Sequence, residues 1–217
     1  MDGLFFEFFK EQSKPLCYRK GEFIIRPDSP PTGIFYIEKG FVRVYFLTGD
    51  GEEKIHIIYK ADEIFPMLWA VSGEQKHLFY EAMGQVILRR VSKEEFLKFI
   101  QQDSQVLTEL IRRLATVFNV FTNRVHNLEI TKAYPRVIAR LLFLAQRFGE
   151  KEGSSVKIVA PIKHKDIASS IGLTRETTSR ELEKLEARGF ITSDKQFLVI
   201  KSIKKLEEEL ELYGEED

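Results

Sequence analysis

Leu107, Leu114, Phe121 and Leu128 fall seven residues apart, and Ile111, Phe118 and Val125 repeat that interval in the complementary heptad position. A seam kept in phase for three heptads demands a single long helix. No other feature of the 217 residues restricts the architecture as tightly. An apolar face this narrow suits a second helix of the same kind better than the core of a monomer, so the spacing predicts a parallel homodimer.

On either side of the seam the period changes. Residues 23–90 are short β-rich runs, FII, GIFYIE, FVRVYF, KIHIIY and VILRRV, cut by RPDSPPT, KG, LTGDGEE and KADEIFP. They predict antiparallel sheet closed as a jelly roll or barrel, with Lys39-Gly40 at a tight corner and Gly49-Asp50-Gly51 at a hairpin tip. Leu4, Phe5, Phe8 and Phe9 recur at helical spacing and place an N-terminal helix on a core. SKEEF, beginning at Ser92, is a capping-box start, from which helix is expected with few interruptions to about Leu128. Pro135 fits the first turn of a new helix and not the interior of the old one, which makes residues 130–134 a hinge. Val137, Ile138, Leu141, Leu142, Leu144 and Ala145 form the apolar face of that new helix. Gly149 ends it, and GEKEGSS follows as a polar linker.

The remainder reads as VKIVAPI, a short strand; KHKDIASSIG, a short helix; LT, a turn; RETTSRELEKLEARG, a longer helix; and FITSD with KQFLVI, a two-stranded wing. That succession is a winged helix-turn-helix. Gly172 permits the turn, Thr174 caps the longer helix, and Leu182 with Leu185 faces Ile167 and Ile171. Arg175, Glu176, Ser179 and Arg180 are left on the outer face. An arginine fork matches guanine O6 and N7, a carboxylate accepts from cytosine N4, and hydroxyls serve phosphates. On spacing alone the same set also reads as solvated helix charge. The whole is an α+β chain: an N-terminal antiparallel β jelly-roll barrel over 1–102, a long dimerisation helix and hinge over 103–134, and a C-terminal winged helix-turn-helix over 135–217.

Composition bounds the chemistry. Lys plus Arg and Asp plus Glu number 33 each, so any surface for nucleic acid must be local. The single cysteine, Cys17, excludes an internal disulfide, an iron-sulfur cluster and a Cys-rich zinc site, and fits a reducing compartment. No window approaches a membrane span and the start lacks a basic n-region, so the expected location is the cytoplasm, with no membrane partner. There is no P-loop, HExxH or nucleophile elbow, and the expectation is no enzyme.

The stretch from Asp166 to Ile191 resembles the recognition motif of the CRP/FNR transcription regulators, and GIFYIEKGFVRVYF resembles their cyclic-nucleotide-binding-type sensor barrel. The resemblance covers nearly the whole chain and implies a bacterial-type homodimeric regulator of a palindromic DNA site, gated by an effector in the barrel. It makes Arg175, Glu176, Ser179 and Arg180 the base readers and sets Thr174, Lys163, His164 and Lys165 near phosphates. It also implies RNA polymerase as a partner if the protein is an activator. Arg175 resembles the TGTGA-reading branch while Glu176, Ser179 and Arg180 also match the TTGAT-reading branch, so both half-sites stay open. The alternative is an effector-binding or protein-interaction module whose winged helix does not bind DNA.

The family's cyclic-nucleotide members hold the ribose with Gly-Glu and, ten residues on, the cyclic phosphate with Arg-Ser. Here Phe65-Pro66 and Lys76-His77 stand in those places, so cyclic AMP is not the expected effector. Phe65, Met67, Trp69, Lys76 and His77 mark the candidate effector pocket, for which an apolar ligand, haem ligated through His77 near Met67, and a collapsed ligand-free core are open readings. No metal site is assigned. The acidic tail EEELELYGEED reads as a solvated helix end.

Overall fold

Both faces of one strand are apolar in the run IFYI, and the fold explains why. The computed structural model describes residues 3–74, 76–194 and 197–213. They form two compact units that divide between Val120 and Phe121.

The first unit contains strands β1 (Leu16–Tyr18), β2 (Phe23–Ile25), β3 (Ile34–Lys39), β4 (Val42–Leu47), β5 (Glu53–Tyr59), β6 (Ile64–Phe65), β7 (Phe79–Ala82) and β8 (Val86–Val91). They make two four-stranded antiparallel sheets, ordered β1-β8-β3-β6 and β2-β7-β4-β5. The chain switches sheets between β3 and β4 at Gly40, whose φ is 96° and where an added Cβ would lie 2.6 Å from the Gln85 carbonyl oxygen. Only glycine fits there. The β4–β5 tip at Gly51, φ 84°, is an ordinary hairpin.

Phe35 and Ile37 of β3 meet Val42, Val44, Tyr80 and Ala82 in the core that includes residues of both sheets. Ile34 and Tyr36, on the other face of β3, enter a second core with four helices: α1 (Leu4–Gln12), α2 (Met67–Ser72), α3 (Lys93–Gln102) and the start of α4 (Ser104–Glu129). Period-two alternation therefore disappears in β3, because neither face meets water. Phe5 and Phe9 anchor α1 at 1% and 0% exposure.

The helical stretch after Ser92 is interrupted. Ser92 and Glu95 form a reciprocal capping box at the start of α3, but Asp103 is extended at φ −144°, ψ 132°. Its carboxylate accepts from the Gln105 amide at 2.8 Å and starts α4 afresh. The β-rich stretch also holds more than the five expected runs: β6, α2 and β7 lie within it and β1 precedes it, each too short to show a period.

The second unit continues from Phe121 through α5 (Ala133–Phe148), β9 (Gly149–Glu152), β10 (Ser155–Ile158), α6 (His164–Ile171), α7 (Arg175–Ala187), β11 (Ile191–Asp194), β12 (Phe197–Ile200) and α8 (Ile203–Glu211). Its sheet runs β11-β12-β10-β9. Pro135 sits in the first turn of α5, where no intrahelical donor is lost. GEKEGSS is not a linker: it is the strand β9 and its turn, paired antiparallel with β10 through Gly149↔Ile158 to Glu152↔Ser155. Gly149 is required by crowding, since a Cβ would come within 2.2 Å of the Ala145 carbonyl oxygen. The acidic end is not wholly solvated either. Glu209 of α8 is 5% exposed and ion-paired with Arg188. Lys195 and Gln196, within the stretch expected to form the wing, and the last four residues of the acidic tail lie outside the described residues.

Candidate nucleic-acid interface

The helix-turn-helix is set by three backbone devices. The Asp166 carboxylate accepts from the Lys163 amide at 2.8 Å and opens α6. Gly172 closes it in the left-handed region, φ 68°, and Leu173 N–H returns to the Ala168 carbonyl at 3.1 Å. Thr174 then caps α7, its Oγ1 accepting from Thr177 N–H at 3.1 Å. Ile167, Ile171, Leu182 and Leu185 are all at 3% exposure or less and lock the two helices together.

With Leu182 and Leu185 inside, helical geometry turns Arg175, Glu176 and Arg180 outward, and all three are exposed. Ser179 is half-buried, and its hydroxyl lies 2.9 Å from His164 Nδ1. The structure thus joins one member of the base-reading set to one of the phosphate set. Lys163 and Lys165 are exposed on the first turn of α6 and its cap. The Arg180 side chain keeps 66% exposure, with Nε 3.3 Å from Glu181. Glu181 is buried and also holds Lys184 at 2.7 Å. Lys163, His164 and Lys165 stand at the start of α6, and Arg175, Glu176 and Arg180 lie in the first half of α7.

The far end of α7 is anchored by contacts that sequence spacing does not reveal. Arg188 donates to both Glu209 carboxylate oxygens and, at 2.7 Å, to the Tyr134 hydroxyl. Tyr134 packs edge-on against Tyr213 at 5.4 Å. Burial and the Glu209 carboxylate push the Tyr134 phenol up to about 12. Arg136 clasps the break between α4 and α5, donating to the carbonyls of Ile130 at 2.6 Å and Ile171 at 3.3 Å. In the wing, Lys157 bonds Asp194 at 2.9 Å, and that bond raises its pKa.

Along α4 the seam residues are open to solvent: Leu107 46%, Ile111 58%, Phe118 70%, Val125 57% and Leu128 45%. Leu114 and Phe121 are half-buried. A second apolar stripe of the same helix, Val106, Leu110 and Val117, packs on the cores of the first unit. Leu114 of the seam joins that stripe against the second core of the first unit, while Leu107, Ile111, Phe118, Val125 and Leu128 stay exposed.

The five candidate effector-pocket residues are not brought into one site. Phe65 is fully buried in the core between the sheets, stacked on Phe35 and Tyr59 at 5.4 Å each and on Tyr80 at 5.2 Å. Met67 and Trp69 belong to the other core. Lys76 and His77 are exposed; Lys76 pairs with Glu74, and His77 Nδ1 lies 2.9 Å from the Pro27 carbonyl oxygen. His77 and Met67 thus do not converge as a haem pair. Among the described residues no group of three or more His, Cys, Asp or Glu side chains is placed to hold a metal ion, and no helix is long and apolar enough to cross a membrane.

Residues 15–103 match the family model of the cyclic nucleotide-binding domain, and residues 135–209 match that of the Crp-like helix-turn-helix domain. The chain is 24% identical to the CRP-like cAMP-activated global transcriptional regulator of Mycobacterium tuberculosis, over 90% of this chain and 88% of that one. It is 27% identical to the nitrogen fixation regulation protein FixK of Bradyrhizobium diazoefficiens, over 84% and 76%. Among solved structures it is similar to FixK2 of Bradyrhizobium japonicum, with a TM-score of 0.77, 26% identity and coverage of 90% and 96%. With both models matched in tandem on a barrel, a long helix and a winged helix-turn-helix, this chain belongs to the CRP/FNR family of transcription regulators.

Proposed function

We propose that two copies pair along the exposed seam of α4 and bind a palindromic DNA site, each inserting α7 into the major groove. Arg175, Glu176, Ser179 and Arg180 read base edges, while Thr174, Lys163, His164 and Lys165 hold phosphates. The dimer's symmetry sets the half-sites about one helical turn apart. The observation that carries this reading is the Thr174-capped start of α7, whose outward side chains are those with base-reading chemistry. The dimer rests on the solvent-exposed heptad residues, Phe118 above all at 70% exposure.

Binding requires no cyclic nucleotide in this account. Phe65 fills the space between the sheets with its ring, and Pro66 carries neither a carboxylate nor an amide donor for a ribose. An effector of another class acts only through different affinities for two states of the dimer. An activator of this kind would pass its signal to RNA polymerase at the promoter.

Selection of binding sites from random duplex DNA, with purified protein and no added ligand, tests the reading. A palindrome enriched by the wild type and lost by Arg180→Ala is expected. Absence of enrichment, both alone and with cyclic AMP added, would favour a module that does not bind DNA.

A further inference from the structure

Asn127 stands near the end of α4, in the second unit, and keeps 9% of its surface. Its side-chain amide makes no hydrogen bond to any described residue, yet its polar atoms are not sealed off. It lines a cavity of about 660 Å³ between the end of α4, α5, β9, β10 and α8, all within the second unit. An amide withdrawn from water without a partner costs free energy, and asparagine is a poor former of helix interiors. Leucine would serve the helix better at this place; what the amide adds is a donor and an acceptor at the wall of the cavity.

Two more carboxamides, Asn123 one turn earlier on α4 and Gln146 on α5, line the same cavity. Leu142, Phe143 and Leu210, all half-buried, supply its apolar wall. The charged lining is one base, Lys151, and one acid, Glu207, so the cavity selects no net charge. We propose that it binds a small neutral molecule bearing a primary carboxamide or lactam group on an apolar body, and that Asn127 recognises the amide. A carboxamide holds its donor and acceptor in one plane, and its complement is a second amide, which pairs N–H to oxygen in both directions. The apolar body lies on Leu142, Phe143 and Leu210, in a space of the volume that small-molecule sites occupy. Such a ligand touches α4 and α5 together, on the two sides of the break that Arg136 clasps. The site is separate from the outward residues of α7 and does not depend on how they are used.

The test is NMR of the nitrogen-15-labelled full chain titrated with benzamide and, in a parallel series, with benzoate. The side-chain NH2 signals of Asn127 are those that disappear in Asn127→Leu. In the wild type they should shift along a saturation curve with benzamide. Benzoate has the same ring but no N–H to give and a charge to bury, and its midpoint should lie at least about tenfold higher. In Asn127→Leu the side-chain signals of Asn123 and Gln146 report the binding, and the benzamide midpoint should rise by about tenfold. Asn127→Asp keeps the size of the side chain and removes its donor; should the leucine variant fail to fold, it identifies the same signals and should raise the midpoint by a similar factor. Shifts that never saturate, equal midpoints for benzamide and benzoate, or Asn127 variants that bind benzamide like the wild type would each overturn the assignment. No DNA is present, so the outcome is read independently of what α7 binds.

Discussion

Arg180, in the middle of α7, and Arg188, at its C-terminal cap, do different work. Arg180 is mostly in water, and the Glu181 carboxylate beside it keeps Lys184 when the guanidinium is removed. Arg180→Ala should therefore change unfolding stability by no more than about 0.5 kcal/mol in urea. In fluorescence anisotropy it should cost about 1–3 kcal/mol of binding to the selected site. Lys165→Ala should instead weaken binding to all sequences alike and lower the salt slope by about one. Arg188→Ala strands the buried Glu209 carboxylate, and since Arg188 is half-exposed the expected loss is about 1–3 kcal/mol in urea unfolding, with DNA contacts untouched. The outward residues of α7 were legible in the sequence because capping and periodicity fix which side faces out. Glu209 was not, because its partner is 21 residues away and its neighbours are acids that do stay in water. Asn127 escaped notice for a related reason: next to Asn123 and His126, which are exposed, it reads as surface.

At the scale of elements, α4 was half legible. Its heptad seam is plain in the sequence, but Val106, Leu110 and Val117 form a second stripe that interleaves with the first, and only packing separates the two. The seam makes a specific demand. Phe118→Glu puts a charge on the most exposed apolar position and should leave monomers in sedimentation, with the far-UV spectrum of each unit unchanged. The break at Asp103 divides α3 from α4, so the cap of α3 acts locally: Ser92→Ala should cost about 1 kcal/mol. Glu95 is held below the usual carboxylate range by hydrogen bonds from the Ser92 hydroxyl and amide. A carboxyl with a lowered folded pKa stabilises above its unfolded value, and that share fades as pH falls through the lowered one. The difference between wild type and Ser92→Ala should therefore shrink in acid. β9 was missed because its four residues are all exposed and polar, and its pairing follows from crowding at Gly149 and the turn at Gly153.

For the molecule as a whole, the order barrel, long helix, winged helix-turn-helix was visible because each part imposes its own hydrophobic period, and the periods change at Ser92 and Pro135. The content of the barrel was not visible. Phe65, Met67, Trp69, Lys76 and His77 lie close in sequence, yet a strand, a helix and an exposed segment distribute them over two cores and the surface. Charge balance says little about this surface for the converse reason, since the cations of α6 and α7 are offset by Asp166, Glu176, Glu181, Glu183 and Glu186 on the same two helices and only their positions differ. The proposed dimer recognises one DNA sequence without cyclic nucleotide. The most direct measurement is sedimentation of the purified protein with a labelled duplex carrying the selected palindrome, beside a scrambled duplex, in the absence of any nucleotide ligand. The account predicts two chains on each palindrome and an affinity at least about 10³ above that for the scrambled duplex. A single chain per duplex, or equal affinity for the two sequences, would contradict it.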